Sequence, residues 1–178
     1  MRLEYQLMTE TALTVARLWK NMTLEQRMAA ALAFWQDEEA TNDQLQAAMF
    51  IAQQKKFRPK TVIGLDVDRK ARHLATMPNL PEAIAARALV IYHLAEQRPM
   101  MSAFLDGLGI AHEDGLIKED SVMPEGGKLA PAVAGIAEKY PPANVALYLN
   151  TLLCQDPDTW GGLADIVKTL QASPVKSE

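Results

Sequence analysis

Alanine and leucine dominate this chain, and their abundance constrains the fold more than any other feature of the sequence. The 178 residues include 27 Ala and 22 Leu, but only 17 Val and Ile together. Ala and Leu lose little conformational freedom on entering a helix, whereas β-branched side chains lose rotamers there. Apolar residues also recur every three or four positions over long stretches, which is the period of one helical face. The sequence therefore predicts an all-α protein.

About nine helices follow from this periodicity and from residues that typically begin a helix. Thr23 has a side chain suited to an N-cap, and Gln26 stands three residues later, which completes a capping box. Pro81 precedes another periodic stretch, in a first turn where its missing N–H costs nothing. The predicted helices span residues 9–21, 24–37, 42–55, 66–77, 81–96, 99–108, 127–139, 142–154 and 157–171.

The apolar positions of these helices predict the core. The residues expected to be buried are Leu18, Leu32, Trp35, Leu45, Ile51, Leu74, Leu89, Tyr92, Leu105, Leu108, Leu147, Leu163 and Ile166.

The chain also aligns with itself at a period of about 58 residues. When Leu32, Leu89 and Leu147 are superimposed, the helices that follow them begin at equivalent positions. Three units of three helices, at 9–55, 66–108 and 127–171, would form an array of armadillo or HEAT type. Ala/Leu-rich helices also align by coincidence, so a single irregular bundle is the alternative. Either arrangement places residues 1–172 in one helical domain and residues 173–178 in a C-terminal tail.

The two segments between these units carry opposite charge. Residues 55–73 hold seven basic side chains against two acidic ones, and residues 106–125 hold six acidic side chains against one lysine. The basic segment suits a phosphate, a nucleic acid or an acidic partner. Solvated surface, or pairing of the two segments with each other, explains the charge equally well, and the net charge of −4 opposes polyanion binding. The basic candidates are Lys55, Lys56, Arg58, Lys60, Arg69, Lys70 and Arg72.

Two linkers interrupt the helical pattern. The first, residues 57–65, carries a β-branched triplet after Pro59 and is expected to be non-helical. The second, residues 109–127, overlaps the acidic segment and is long for a connection within a domain. Its sequence favours extended structure at 115–117 and 121–123, so the two linkers are expected to contribute at most a small β-ribbon, with one strand from each. We expect its apolar side chains to pack on the first linker or on a partner subunit. We expect its acidic residues and His112 to face solvent. The four apolar residues are Leu116, Ile117, Val122 and Met123.

Few residues suit catalysis or metal binding. His93 and Glu96 share a helical face at i, i+3, but a metal site in a helical bundle needs such a pair twice, with two further carboxylates. His112, beside Glu113 and Asp114, could act as a general base, although no nucleophile is tied to it. We therefore predict no metal and no cofactor.

The sequence best fits a non-enzymatic helical module that binds another protein, and homo-oligomerisation stays open. The basic candidates together with His112, Glu113 and Asp114 are the expected contact residues. One alternative is a small-molecule-binding protein or metal-dependent enzyme that uses His93, Glu96, His112 and Asp114. The other is a nucleic-acid-binding regulator that uses residues 55–73.

The remaining sequence features concern the compartment. No apolar run approaches the ~18 residues that a membrane-spanning helix needs, and the first residues lack the basic and apolar regions of a secretion signal. The single cysteine, Cys154, excludes an intramolecular disulfide framework. These features favour a cytoplasmic protein without a membrane partner.

Overall fold

The computed structural model describes residues 13–119, 121 and 124–172, and 73% of them are helical. This confirms the all-α class with a minor β-ribbon. The elements are α1 (Val15–Asn21), α2 (Leu24–Gln36), α3 (Thr41–Lys55), α4 (Pro59–Ile63), α5 (Val67–Ala75), α6 (Glu82–Glu96), α7 (Arg98–Leu108), β1 (His112–Glu113), β2 (Leu116–Ile117), α8 (Gly126–Ala137), α9 (Pro142–Gln155), α10 (Pro157–Trp160) and α11 (Leu163–Ala172). The predicted tail, 173–178, and the first residues of the helix predicted at 9–21 lie outside the described residues.

Two helical predictions need correction. The first linker was expected to be non-helical, but it contains α4, because Pro59 is preorganised for a first helical turn. The helix predicted at 157–171 is divided into α10 and α11 at Gly161 and Gly162. A Cβ at Gly162 would lie 2.8 Å from Leu129 Cδ1, so the missing side chain allows α8 to approach closely.

Side chains satisfy several helix N-termini, as the sequence indicated. The predicted capping box is present, with hydrogen bonds in both directions between Thr23 and Gln26. Helix α1 has a more distant cap, because the Glu82 carboxylate accepts hydrogen bonds from the Val15 N–H at 2.8 Å and the Ala16 N–H at 3.1 Å. A carboxylate is also favoured there by the helix dipole.

The chain forms two compact units, residues 1–88 and 89–178, and the division falls inside α6. Large side chains that are fully buried in the first unit are Trp19, Phe34, Ile51, Val62 and Leu74. Those in the second unit are Leu89, Met100, Phe104, Leu105, Ile136, Leu149 and Leu163. The three-unit repeat and the single domain stay predictions.

The predicted core is largely buried, with one clear error. Leu32 and Ile166 are half-buried, and Leu45 is 48% exposed. On α3 the buried face consists of Ala47, Ala48, Ile51 and Ala52, which leaves Leu45 on the outer face. Helical periodicity shows which residues share a face, but it does not show which face meets the core when both carry apolar side chains.

The β-ribbon lies within the second linker alone. Its antiparallel strands pair His112 with Ile117 and Glu113 with Leu116 across a turn at Asp114 and Gly115. Among the described residues, the ribbon therefore pairs two strands of the second linker rather than one strand from each linker. A tight local turn brings the strands together because Asp114 and Gly115 both adopt positive φ.

Candidate functional site

The predicted basic residues lie on α3, α4, α5 and the turns between them. All are exposed except Lys70, which is half-buried with its Nζ 5.1 Å from the centroid of the Trp35 ring. Arg69 Nε lies 3.5 Å from Asp66 Oδ2 in an exposed ion pair. These two basic side chains already have partners within the first unit, which explains part of the charge run without a ligand.

A smaller set of these residues surrounds His73. The His73 ring packs edge-on against Phe57, with 5.8 Å between ring centroids. Burial lowers the pKa of His73 below its usual range, and the positive charges of Lys55 and Arg72 lower it further. The structure therefore brings together Lys55, Arg72, His73 and the 42%-exposed Phe57. Nucleic-acid binding by this segment stays a prediction.

His112 lies in a different environment from the expected one. Its side chain is only 12% exposed, so the expectation that it faces solvent is wrong. The Gly115 N–H donates to His112 Nδ1 at 3.2 Å, which places the ring hydrogen on Nε2, and Nε2 donates to Asp106 Oδ1 at 2.7 Å. Both ring nitrogens are thereby engaged. His112 holds the ribbon on α7, and this geometry leaves it no free lone pair to act as a general base.

Further contacts hold the ribbon in place. Arg98 Nη1 donates to the Asp114 carbonyl at 3.1 Å, and the Ser121 hydroxyl donates to the Ala111 carbonyl at 2.6 Å. A Cβ on Gly115, which has a φ of +90°, would lie 2.8 Å from Met101 Cβ. The ribbon therefore rests directly on α7. Glu113 and Asp114, two predicted contact residues, are exposed at its surface.

The apolar side chains of the ribbon are less buried than expected. Leu116 is 47% exposed and Ile117 is 39% exposed, so packing within the chain covers only part of each. Packing of these side chains on the first linker or on a partner subunit stays a prediction. Val122 and Met123 lie outside the described residues.

His93 is buried in the second unit, whereas Glu96 is exposed, so the predicted pair does not present one shared site. The Thr151 hydroxyl donates its only hydrogen to the Leu147 carbonyl at 2.7 Å, and His93 Nε2 therefore donates to Thr151 Oγ1 at 2.9 Å. Nδ1 is left as an acceptor without a hydrogen-bond partner among the described residues. Burial lowers the pKa of His93 to about 4, so the imidazole is neutral near neutral pH.

A cavity of about 190 Å³ adjoins His93 in this unit. Helices α6, α7 and α9 form its walls together with strand β2. Its lining residues include Met101, Leu116, Tyr148, Thr151 and Gln155. Burial raises the pKa of the Tyr148 phenol, which keeps this group neutral as well. None of the described lining residues is Asp, Glu, Lys or Arg. The cavity is therefore uncharged.

Sequence reasoning singled out His93 but missed Thr151 and Tyr148. No local signal links Thr151 to His93, because the two residues are 58 positions apart and tertiary packing brings them together. The predicted constellation of His93, Glu96, His112 and Asp114 does not assemble around the cavity, since only His93 of the four lines it.

Two further findings concern the described residues as a whole. No three His, Cys, Asp or Glu side chains among them form a group that could hold a metal ion. None of the helices described is both long and apolar enough to span a membrane.

Comparisons with family models, with curated proteins and with solved structures give no match to this chain. Any functional conclusion therefore rests on the residues of this chain.

Proposed function

We propose that the protein is an interaction module that binds another protein through the β-ribbon of its second unit. The observation that carries this proposal is the exposure of Leu116 and Ile117, at 47% and 39%, on a ribbon that several contacts hold in place. A hairpin whose strands have only two residues each has little stability of its own in water. Its attachment to α7 through Gly115 and His112 keeps two apolar side chains in position at the surface.

The surroundings of these side chains indicate the chemistry of the partner. Glu113, Asp114 and Glu119 are exposed in the same segment, together with one base, Lys118, so the apolar centre is bordered by a net negative charge. Protein interfaces commonly combine an apolar centre with a polar rim. A partner with an apolar patch and basic residues around it would complement this surface, and the charges would accelerate its association at low salt.

The experiment compares two double variants of the full chain. Leu116→Ser with Ile117→Ser removes the apolar centre. Leu45→Ser with Met49→Ser removes two side chains of matched exposure, 48% and 55%, from the first unit. Proteins captured from the source cells by the parent chain are purified and titrated against each variant, and self-association is measured by sedimentation.

We expect the ribbon variant to lose at least ~10-fold in affinity for the captured protein, or for a second copy of the chain. The Leu45/Met49 variant should keep the affinity of the parent. Equal binding by both variants, equal losses in both, or the absence of any captured or self-associated species would overturn the proposal. Circular dichroism verifies that each variant keeps its helix content.

A further inference from the structure

The size of the cavity beside His93 limits what can enter it. An apolar cavity of about 150 Å³ in a helical protein stays dry and binds one benzene ring. The present cavity, at about 190 Å³, is slightly larger and opens beside the exposed Leu116 and Ile117. It is therefore suited to one ring and too small for a cofactor or a nucleotide.

The walls of the cavity favour an aromatic guest. The imidazole of His93 and the phenol of Tyr148 meet edge-to-face, with 5.6 Å between ring centroids, and both line the space. Aromatic rings gain energy from such edge and offset contacts beyond the area they bury. Met101 also lines the cavity, and a thioether sulfur makes favourable contacts with aromatic rings.

The charge state of the cavity excludes ionised guests. Its lining contains no ionised side chain among the described residues. Moving an unpaired carboxylate or ammonium group into such surroundings is strongly unfavourable. Gln155, which is exposed at the cavity, supplies a neutral amide toward solvent. A guest with a polar but uncharged atom at its outer end is therefore tolerated.

We propose that this cavity is a binding site for a single uncharged aromatic ring. Since the proposed function places a protein partner on Leu116 and Ile117, the ring is a phenylalanine-like side chain of that partner, and this assignment rests on the proposed function. A free aromatic compound has the same chemistry, and the experiment below distinguishes the two sources.

Toluene is the probe, and benzoate is its charged control of similar shape. Each is titrated into the isotopically labelled full chain, and the amide signals of His93, Tyr148 and Thr151 are followed by NMR. We expect saturable shifts of these signals with toluene, at a dissociation constant on the order of 1 mM for so small a guest. Benzoate should bind at least ~10-fold more weakly. No saturable shift with toluene, or equal binding of benzoate, overturns the proposal.

A cavity-filling substitution locates the site and identifies the source of the ring. Val90→Phe introduces a ring from the wall of α6, and Leu94→Phe does so one turn later, in case the first variant folds poorly. The matched control is Met49→Phe at an exposed position. We expect the filled variant to lose toluene binding and the control to retain it. Retained toluene binding in a folded, filled variant contradicts the proposed location.

Affinity for the protein partner is then measured with the same variants. If the filled variant also loses the partner, the ring is supplied by the partner. If the partner binds normally while toluene is excluded, the ring-binding site stands, the assignment to the partner is wrong, and free aromatic compounds are its guests. Leu116 and Ile117 also line the cavity, so their double serine variant is expected to weaken toluene binding as well. Glu113→Lys changes the charge beside the ribbon at an exposed residue outside the lining. It should weaken a basic partner and keep toluene binding, so failure of the proposed interaction surface is read separately from failure of the ring site.

Discussion

Two histidines of the second unit occupy opposite environments, and the comparison shows what each can do. His93 is buried on α6 and makes one hydrogen bond, to a threonine 58 residues later in the chain. His112 lies on the ribbon, where both ring nitrogens are engaged by groups within six residues. The hydrogen bond of His93 depends on tertiary packing, whereas the hydrogen bonds of His112 depend on residues close to it in the chain. A histidine beside carboxylates in a sequence therefore indicates a structural hydrogen-bonding residue as readily as a catalytic base.

The largest difference between the two environments should be visible as a pH dependence of stability. Burial lowers the pKa of His93 to about 4 in the folded protein, below the 6.5 of an exposed imidazole, so the unfolded chain binds the proton first as pH falls. The stability contributed by the neutral imidazole is fully present above about pH 6.5. It falls by about 3 kcal/mol in total as the pH decreases to about 4.

Urea denaturation of the parent chain and of His93→Leu, at a series of pH values in this range, tests the expectation. Carboxylates titrate in both proteins, so the difference between the two curves isolates the contribution of His93. The variant should lose stability less steeply than the parent. Parallel curves would show that the imidazole is not held neutral by burial.

A loss of stability of intermediate size is expected from substitutions of glycine where the ribbon meets α7. Gly115 and Gly109 have φ values of +90° and +70°, so alanine is strained at both positions. Only at Gly115 would the new Cβ collide with another group, 2.8 Å away on Met101. We expect Gly109→Ala to cost about 1 kcal/mol of unfolding free energy and Gly115→Ala about 2 to 3 kcal/mol. Equal costs in denaturant titrations would mean that the ribbon is free to move away from α7.

The smallest loss of stability is expected at the hydrogen bond between the ribbon and Asp106. Asp106 Oδ1 accepts from His112 Nε2, but the Asp106 side chain is 73% exposed. A hydrogen bond to an exposed carboxylate contributes little because water competes for it, and asparagine keeps an acceptor oxygen, so Asp106→Asn should cost less than about 1 kcal/mol. Denaturant titration of the parent and the variant measures the difference. A loss above about 2 kcal/mol would place this contact among the main supports of the second unit.

Local signals in the sequence predicted local structure well. Thr23 and Gln26 form their capping box because both groups belong to one helical turn, and no distant residue is needed. The side-chain caps at Thr14, Asp66 and Asp156 are equally local. The errors arose where a distant partner decides the outcome. Leu45 has the right spacing for a core residue, but the opposite face of α3 meets the core.

The candidate site was less predictable for the same reason. The cavity exists because strand β2 lies near three helices, and no spacing within one helix specifies that arrangement. His93 was singled out for its proximity to Glu96, whereas its actual partner is Thr151. Neither the neutral state of the imidazole nor the exposure of Leu116 follows from residue type. Both depend on how much of each side chain the neighbouring elements cover.

The long-range cap on α1 has a consequence for how the first unit opens and closes. A helix of seven residues is too short to persist alone in water, and the first N–H groups of a helix have no partners within it. Here two of those groups bind Glu82, 66 and 67 positions away in the chain. The amide protons of Val15 and Ala16 therefore exchange with solvent when α1 separates from the start of α6, rather than when a helix end frays. Their exchange rates report the undocking of an entire helix.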